Sequence, residues 1–210
     1  MNVGGFRQRY MIDYFALLNQ PRRPWLEPEA LKTQFLALAA GAHPDKQRPG
    51  REAEKLAANR HYAELNAAYH CLAEPKSRLG HLLELEQGAK PRDIQQIPDA
   101  LADLFAEVAG TCRHADSFLG EKNKVTSPLL QVQQFERTQE GVERLCVLQT
   151  RLAGLHSKLV EALKSLDASW ISETGDRTAW LNRLEELYRL FGYYNRWNSQ
   201  VQERIVQLSL

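Results

Sequence analysis

HPDKQRPG, His43–Gly50, breaks a run of sequence that reads as helix on both sides. Before it, PEALKTQFLALAAGA (residues 28–42) opens on Pro28, which suits a first helical turn because its missing N–H would have no partner there. Leu31, Phe35 and Leu38 follow at i, i+4 and i+7, and Gly41 stands near the end. Pro44 stops that helix: it has no N–H to donate and disfavours the α conformation at His43, and Pro49 with Gly50 closes the loop. After it, REAEKLAANRHYAELNAAYHCLAE (51–74) is rich in strong helix formers and sets Leu65, Ala68, Tyr69 and Leu72 on one face. The two apolar faces predict a hairpin in which the second helix packs on Leu31, Phe35 and Leu38. So short a connection favours antiparallel helices, with the HPD loop exposed at the tip.

The pattern continues on both sides of the hairpin. Asp13 is a good N-cap for the short stretch DYFALL, and Pro21 and Pro24 then forbid helix through NQPRRPW. A fourth short helix, KSRLGHLLELEQ, follows Pro75. GAKPRDIQQIP (88–98), with two prolines and a glycine, reads as a linker. Beyond it the helices lengthen. One runs from Asp99 to about Phe118, with Leu101, Leu104, Phe105, Val108 and Cys112 on one face. The next begins after Pro128 and carries Leu145, Leu148, Leu152, Leu155, Leu159, Leu163 and Leu166 at heptad spacing. The last, from about Arg177, repeats the device with Trp180, Leu184, Leu187, Phe191, Tyr194, Val201, Ile205 and Leu208, Asn198 filling one seam position. Three amphipathic helices of this kind bury one another as an antiparallel bundle.

No strand-like alternation of useful length occurs, so the expected class is all-α. A helical domain over residues 10–87, a linker over 88–98 and a bundle over 99–210 are the expected parts. Phe191, Tyr193, Tyr194 and Trp197 cannot all face one seam, because residues at these spacings fan around the helix axis, so Tyr193 or Trp197 is expected at the surface as a contact. GEKNKVTS, residues 120–127, has little to bury and is expected to be disordered.

Composition narrows the function. With 210 residues, 43% hydrophobic and 25% charged, the chain suits one or two ordinary soluble domains, and a formal net charge of +1 argues against nucleic acid or a membrane surface as partner. Cys71, Cys112 and Cys146 are widely spaced and form neither a disulfide framework nor a zinc module, which fits a reducing cytoplasm. No apolar run approaches the roughly 18 residues of a membrane span, and MNVGGFRQRYMIDY has no apolar core of a secretion signal. His61, His70, His81, His114 and His156 lack ligand-spaced partners and read as surface or boundary residues, so no metal or cofactor is expected. His43 and Asp45 have no nucleophile beside them, and no enzyme is expected.

HPD in the loop of a helical hairpin, the short DYF-type helix before it, the LNAAYHCL face after it and the closing EPKSRLGHLLEL helix together resemble the J-domain of DnaJ-type co-chaperones, over Asp13 to about Leu85. DYFALL, EPKSRLGHLLEL and a following three-helix bundle with the aromatic stretch LYRLFGYYNRW are most similar to the HscB family of iron–sulfur cluster assembly co-chaperones. The resemblance implies a partner of the DnaK type, whose ATP hydrolysis is accelerated by His43, Pro44 and Asp45. In such a loop Asp45 is a short anionic acceptor suited to a chaperone arginine, Pro44 fixes the backbone, and His43 contacts backbone or buttresses the loop. Where J-domains carry several cations on the helix before HPD, this helix offers Lys32, with Lys46, Arg48 and Arg51 following. The resemblance also implies a client, the cluster scaffold protein, held on the first bundle helix by apolar residues; in ALADLFAEVAGTC the candidates are Leu101, Leu104 and Phe105, although the acidic signature of that family's motif is missing. The rival reading is an adaptor that keeps the fold without engaging a chaperone. Both seams can be satisfied within one chain, so a monomer is expected.

Overall fold

The computed structural model of the chain describes residues 12–42, 52–91, 97–122, 128–172 and 175–210. They form α1 Tyr14–Leu17, α2 Pro28–Ala42, α3 Glu52–Ala73, α4 Pro75–Gln87, α5 Ala102–Lys122, α6 Pro128–Ile171 and α7 Arg177–Ser209, with a 3₁₀ turn Asp99–Leu101 ahead of α5. No strand occurs among the described residues, as expected of an all-α chain. The HPDKQRPG loop and residues 123–127 of the stretch expected to be disordered lie outside the described residues.

Two compact units divide the chain: Met1–Pro91 with Leu166–Glu185, and Arg92–Ser165 with Glu186–Leu210. Residues 166–185, the end of α6 and the start of α7, are part of the first unit. The reason is chemical. Asp167 and Trp170 on α6 supply hydrogen-bond partners to the proline-bearing segment between α1 and α2, which has no helical ladder of its own.

In the first unit, local capping sets the helix ends. Asp13 starts α1 by accepting from the Phe15 and Ala16 N–H groups at 2.9 and 3.2 Å. Glu74 does the same for α4, accepting from Lys76 and Ser77 at 3.0 and 2.6 Å, with Pro75 in the first turn. Gly88 ends α4 at φ 74°, the left-handed conformation that glycine adopts without steric cost. Leu31 on α2 is buried, and so are Leu65, Ala68 and Leu72 on α3. Phe35 stacks on Tyr69 with ring centroids 4.4 Å apart, so the two helices meet through the faces that their periodicity predicts. Phe15, Leu18, Leu26, Leu79, Leu82 and Leu83 complete this core. Each fully buried side chain of this size contributes roughly 1.5–3 kcal/mol, which helices too short to persist alone require.

In the second unit, paired contacts give the helix directions. Phe105 meets Trp197 and Asp116 meets Arg204, so α5 and α7 run parallel. Glu107 pairs with Arg151 while Phe118 meets Arg137, so α6 runs antiparallel to α5. His156 lies 4.7 Å from Tyr194, ring centroid to centroid, while a Cβ on Gly141 would reach Leu208; α6 is thus antiparallel to α7 as well. Leu145, Leu148 and Leu152 of the heptad seam are buried against Val108, Cys112, Tyr193, Trp197 and Val201.

One surface expectation fails here. Tyr193 and Trp197 are 6% and 3% exposed, so neither is a surface contact. A bundle helix has two neighbours and buries a wider arc than a two-stranded seam does: Phe191 and Tyr194 turn toward His156 of α6, while Trp197 turns toward Phe105 of α5. No described helix is long and apolar enough to cross a membrane.

Candidate functional site

The α2–α3 hairpin holds the candidate loop at its ends: α2 stops at Ala42, immediately before His43, and α3 resumes at Glu52. His43, Pro44, Asp45, Lys46, Arg48 and Arg51 themselves lie outside the described residues. Lys32, the remaining candidate, is exposed on α2. The next residue back, Leu31, is buried, so the helix presents the lysine to solvent while its apolar side faces α3.

A polar frame that periodicity does not reveal braces this hairpin. Arg78, on α4, is 2% exposed and donates from Nε to the Pro24 carbonyl at 2.8 Å and from Nη1 to the Leu72 carbonyl at 2.6 Å. It therefore joins the proline segment, the C-terminal end of α3 and α4. Its guanidinium carbon also sits 5.7 Å from the centroid of the Trp25 ring. Burial pulls its pKa down to about 10, with Glu74 and Asp167 opposing, so the charge stays on at neutral pH. Asp167, 3% exposed, takes the fork of Arg23 and accepts the Trp25 N–H at 3.0 Å. The Trp170 indole donates to the Arg22 carbonyl at 3.1 Å, and Arg22 in turn pairs with Asp13 at 2.6 Å.

His81 corrects a second expectation. It is buried at 7% exposure and is not a surface or boundary residue, because its ring lies between Tyr14 and Phe15 of α1, at centroid distances of 4.7 and 5.8 Å. The Tyr14 N–H donates to its Nε2 at 3.1 Å, so that nitrogen is the unprotonated one. Burial lowers its pKa, against the opposing pull of Asp13 and Glu84. A folded-state pKa below the unfolded value of about 6.5 means that this stabilisation is whole above pH about 6.5 and is lost as pH falls through the folded value. The expected result is a lower urea midpoint at pH 5.5 than at pH 7.5, and a smaller difference in His81→Gln, whose side-chain oxygen can still accept the Tyr14 N–H. An equal pH response in both proteins would assign the effect to other groups.

The client candidates are split by the structure. Leu101 and Leu104 are partly buried against the second unit's core, whereas Phe105 is 42% exposed with its ring 6.2 Å from Trp197. Among the described residues, no group of three or more His, Cys, Asp or Glu side chains could hold a metal ion. Arg78, His81 and Asp167 escaped the sequence reading. The one legible hint was a polar residue inside an apolar face: RLGHLL puts Arg78 and His81 on the same side of α4 as Leu79 and Leu82.

No protein-family profile matches the chain. Among solved structures, the chaperone HscB from Vibrio cholerae superposes with a TM-score of 0.60 at 21% identity, covering 94% of this chain and 99% of that one. The human co-chaperone protein HscB superposes with a TM-score of 0.56 at 19% identity, covering 94% of this chain and 82% of that one. A hairpin braced by Arg78 and Asp167, followed by the α5–α7 bundle, gives this chain the fold of the HscB co-chaperones.

Proposed function

We propose that this chain is a J-type co-chaperone, not an enzyme, that accelerates ATP hydrolysis by a DnaK-type heat-shock chaperone. The observation that carries the reading is the HPD tripeptide placed between α2 and α3 of an HscB-like fold. Residues 10–87 act as the J-domain and 99–210 as the client-binding bundle, joined by 88–98. His43, Pro44 and Asp45 form the docking tip, and Lys32, Lys46, Arg48 and Arg51 supply the cations that steer it toward an acidic chaperone surface. The protein works in the cytoplasm as a monomer, without a cofactor of its own.

The ATP-bound chaperone immobilised on a sensor surface tests the partnership. Wild-type chain is expected to bind with an association rate that falls as salt rises, and Asp45→Asn to bind at least tenfold more weakly, since a charge-assisted hydrogen bond is worth about 1.5–3 kcal/mol. Equal binding by both proteins would favour the adaptor reading, which the single cation on α2 also suits.

The client in this reading is the iron–sulfur cluster scaffold protein, held by Phe105 with Leu101 and Leu104 beside it. Phe105 is the discriminating residue because it is the exposed member of the three. Phe105→Ala is expected to weaken scaffold capture about tenfold while the helical content of the bundle is kept. Unchanged capture would remove this face from the account.

A further inference from the structure

A groove of about 680 Å³ runs between α6 and the end of α7 in the second unit, and none of the residues lining it comes from α5. Its walls are apolar. Phe135 and Val142 stand at i and i+7 on α6, two helical turns and about 10 Å apart, with Leu208 and Leu210 across from them. Phe135 is 64% exposed, a large apolar side chain left in water. Thr138 and Ser209 do little to make the groove polar, because each hydroxyl donates to a carbonyl of its own helix, that of Gln134 at 2.8 Å and that of Ile205 at 2.7 Å.

The charge on this groove has one sign. Glu143 lines it, and Glu136 stands two turns earlier on the same row of α6. Both are exposed, and neither carboxylate has a partner among the described residues. Among the described residues, no lysine or arginine lines the groove. The cations of this part of α6 lie elsewhere: Arg137 sits over the Phe118 ring of α5, 5.0 Å from its centroid, and Arg144 reaches Glu140 at 3.9 Å. Two rows therefore run side by side at the same i, i+7 spacing, an apolar one of Phe135 and Val142 and an acidic one of Glu136 and Glu143.

An apolar floor with one charged rim, repeating every two turns, is the complement of a helix that carries apolar anchors at i, i+3, i+4 and i+7 and charge on its flank. We infer that this groove receives one face of a basic amphipathic helix from another protein, with lysines or arginines on the flank of that helix pairing Glu136 and Glu143. The inference uses neither the HPD loop nor the Phe105 face, and it is independent of the chaperone reading.

Fluorescence anisotropy with the full chain tests it. The first probe is a labelled peptide of about 18 residues, long enough to hold a helix, with leucines at i, i+3, i+4 and i+7 and lysines on the other face. The second has glutamates for lysines, and the third has the composition of the first with its leucines scattered around the helix. The first is expected to bind, more weakly as salt rises, and each companion to bind about tenfold less well. Phe135→Ser is expected to weaken binding of the first peptide by about tenfold, and the double variant Glu136→Gln with Glu143→Gln to do the same while flattening its salt dependence. All three residues are exposed, so both variants keep the fold. Equal binding of the lysine and glutamate peptides or of the two leucine arrangements, or undiminished binding by either variant, would overturn the inference. Dimerisation of the free chain that Phe135→Ser abolishes would overturn it too, because the groove would then belong to a second copy.

Discussion

Replacing Arg78 with alanine is expected to destabilise the first unit by about 3–5 kcal/mol, among the larger effects any single substitution here can have. Two costs combine. The Pro24 and Leu72 carbonyls lose charge-assisted donors in a place that water does not reach, and the volume of the long side chain is left as a cavity beside Trp25. Arg78→Met should cost less. Methionine fills much of the space and removes the penalty of burying a cation, a penalty visible in the pKa held down to about 10, but it leaves the same two carbonyls without donors. Urea unfolding followed by circular dichroism measures both variants. A loss below about 1 kcal/mol in Arg78→Ala would mean that the proline segment is held by Asp167 and Trp170 without it.

The consequence of that frame is positional. Arg23, Pro24 and Trp25 lie a few residues ahead of Pro28, where α2 begins, and the partners that fix them come from α4 and from the end of α6. The N-terminal end of α2 is thereby tied down at a distance in sequence of more than 50 residues in one case and more than 140 in the others. α2 ends at Ala42, the residue before His43, so a lesion at Arg78 should loosen the support of the HPD segment.

How much of this was legible follows from the type of interaction. Helix faces were readable, because Leu31 and Phe35, Leu65 and Leu72, and the leucine seam of α6 recur at the helical period, and burial is what that period encodes. Helix ends were readable where a local signal marks them, as at Asp13 and Pro28. Arg78, His81 and Asp167 were not. A buried polar residue is stable only through partners distant in the chain, and nothing in the spacing of Arg78 or Asp167 names Pro24 or Trp25. The aromatic stretch failed for a different reason: a two-stranded heptad seam underestimates the arc buried by a helix with two neighbours, so Tyr193 or Trp197 is expected outside, whereas both lie inside.

The loop itself rests on sequence alone, and its expected effect on function is the largest. Asp45→Asn keeps the size and shape of the side chain and removes only its charge. Pro44 still limits the loop's freedom and His43 still flanks it, so any loss of function reports the carboxylate. Because a docking contact that triggers catalysis must persist in the hydrolytic transition state, weakening it lowers the stimulated rate as well as occupancy. The decisive measurement is single-turnover ATP hydrolysis by the DnaK-type chaperones of the same cell, with wild-type chain and with Asp45→Asn at saturating concentration. The account predicts that wild-type chain accelerates hydrolysis by one of them and that the variant leaves that chaperone at its unstimulated rate. Full stimulation by the variant, or none by the wild-type chain with any of them, would contradict it.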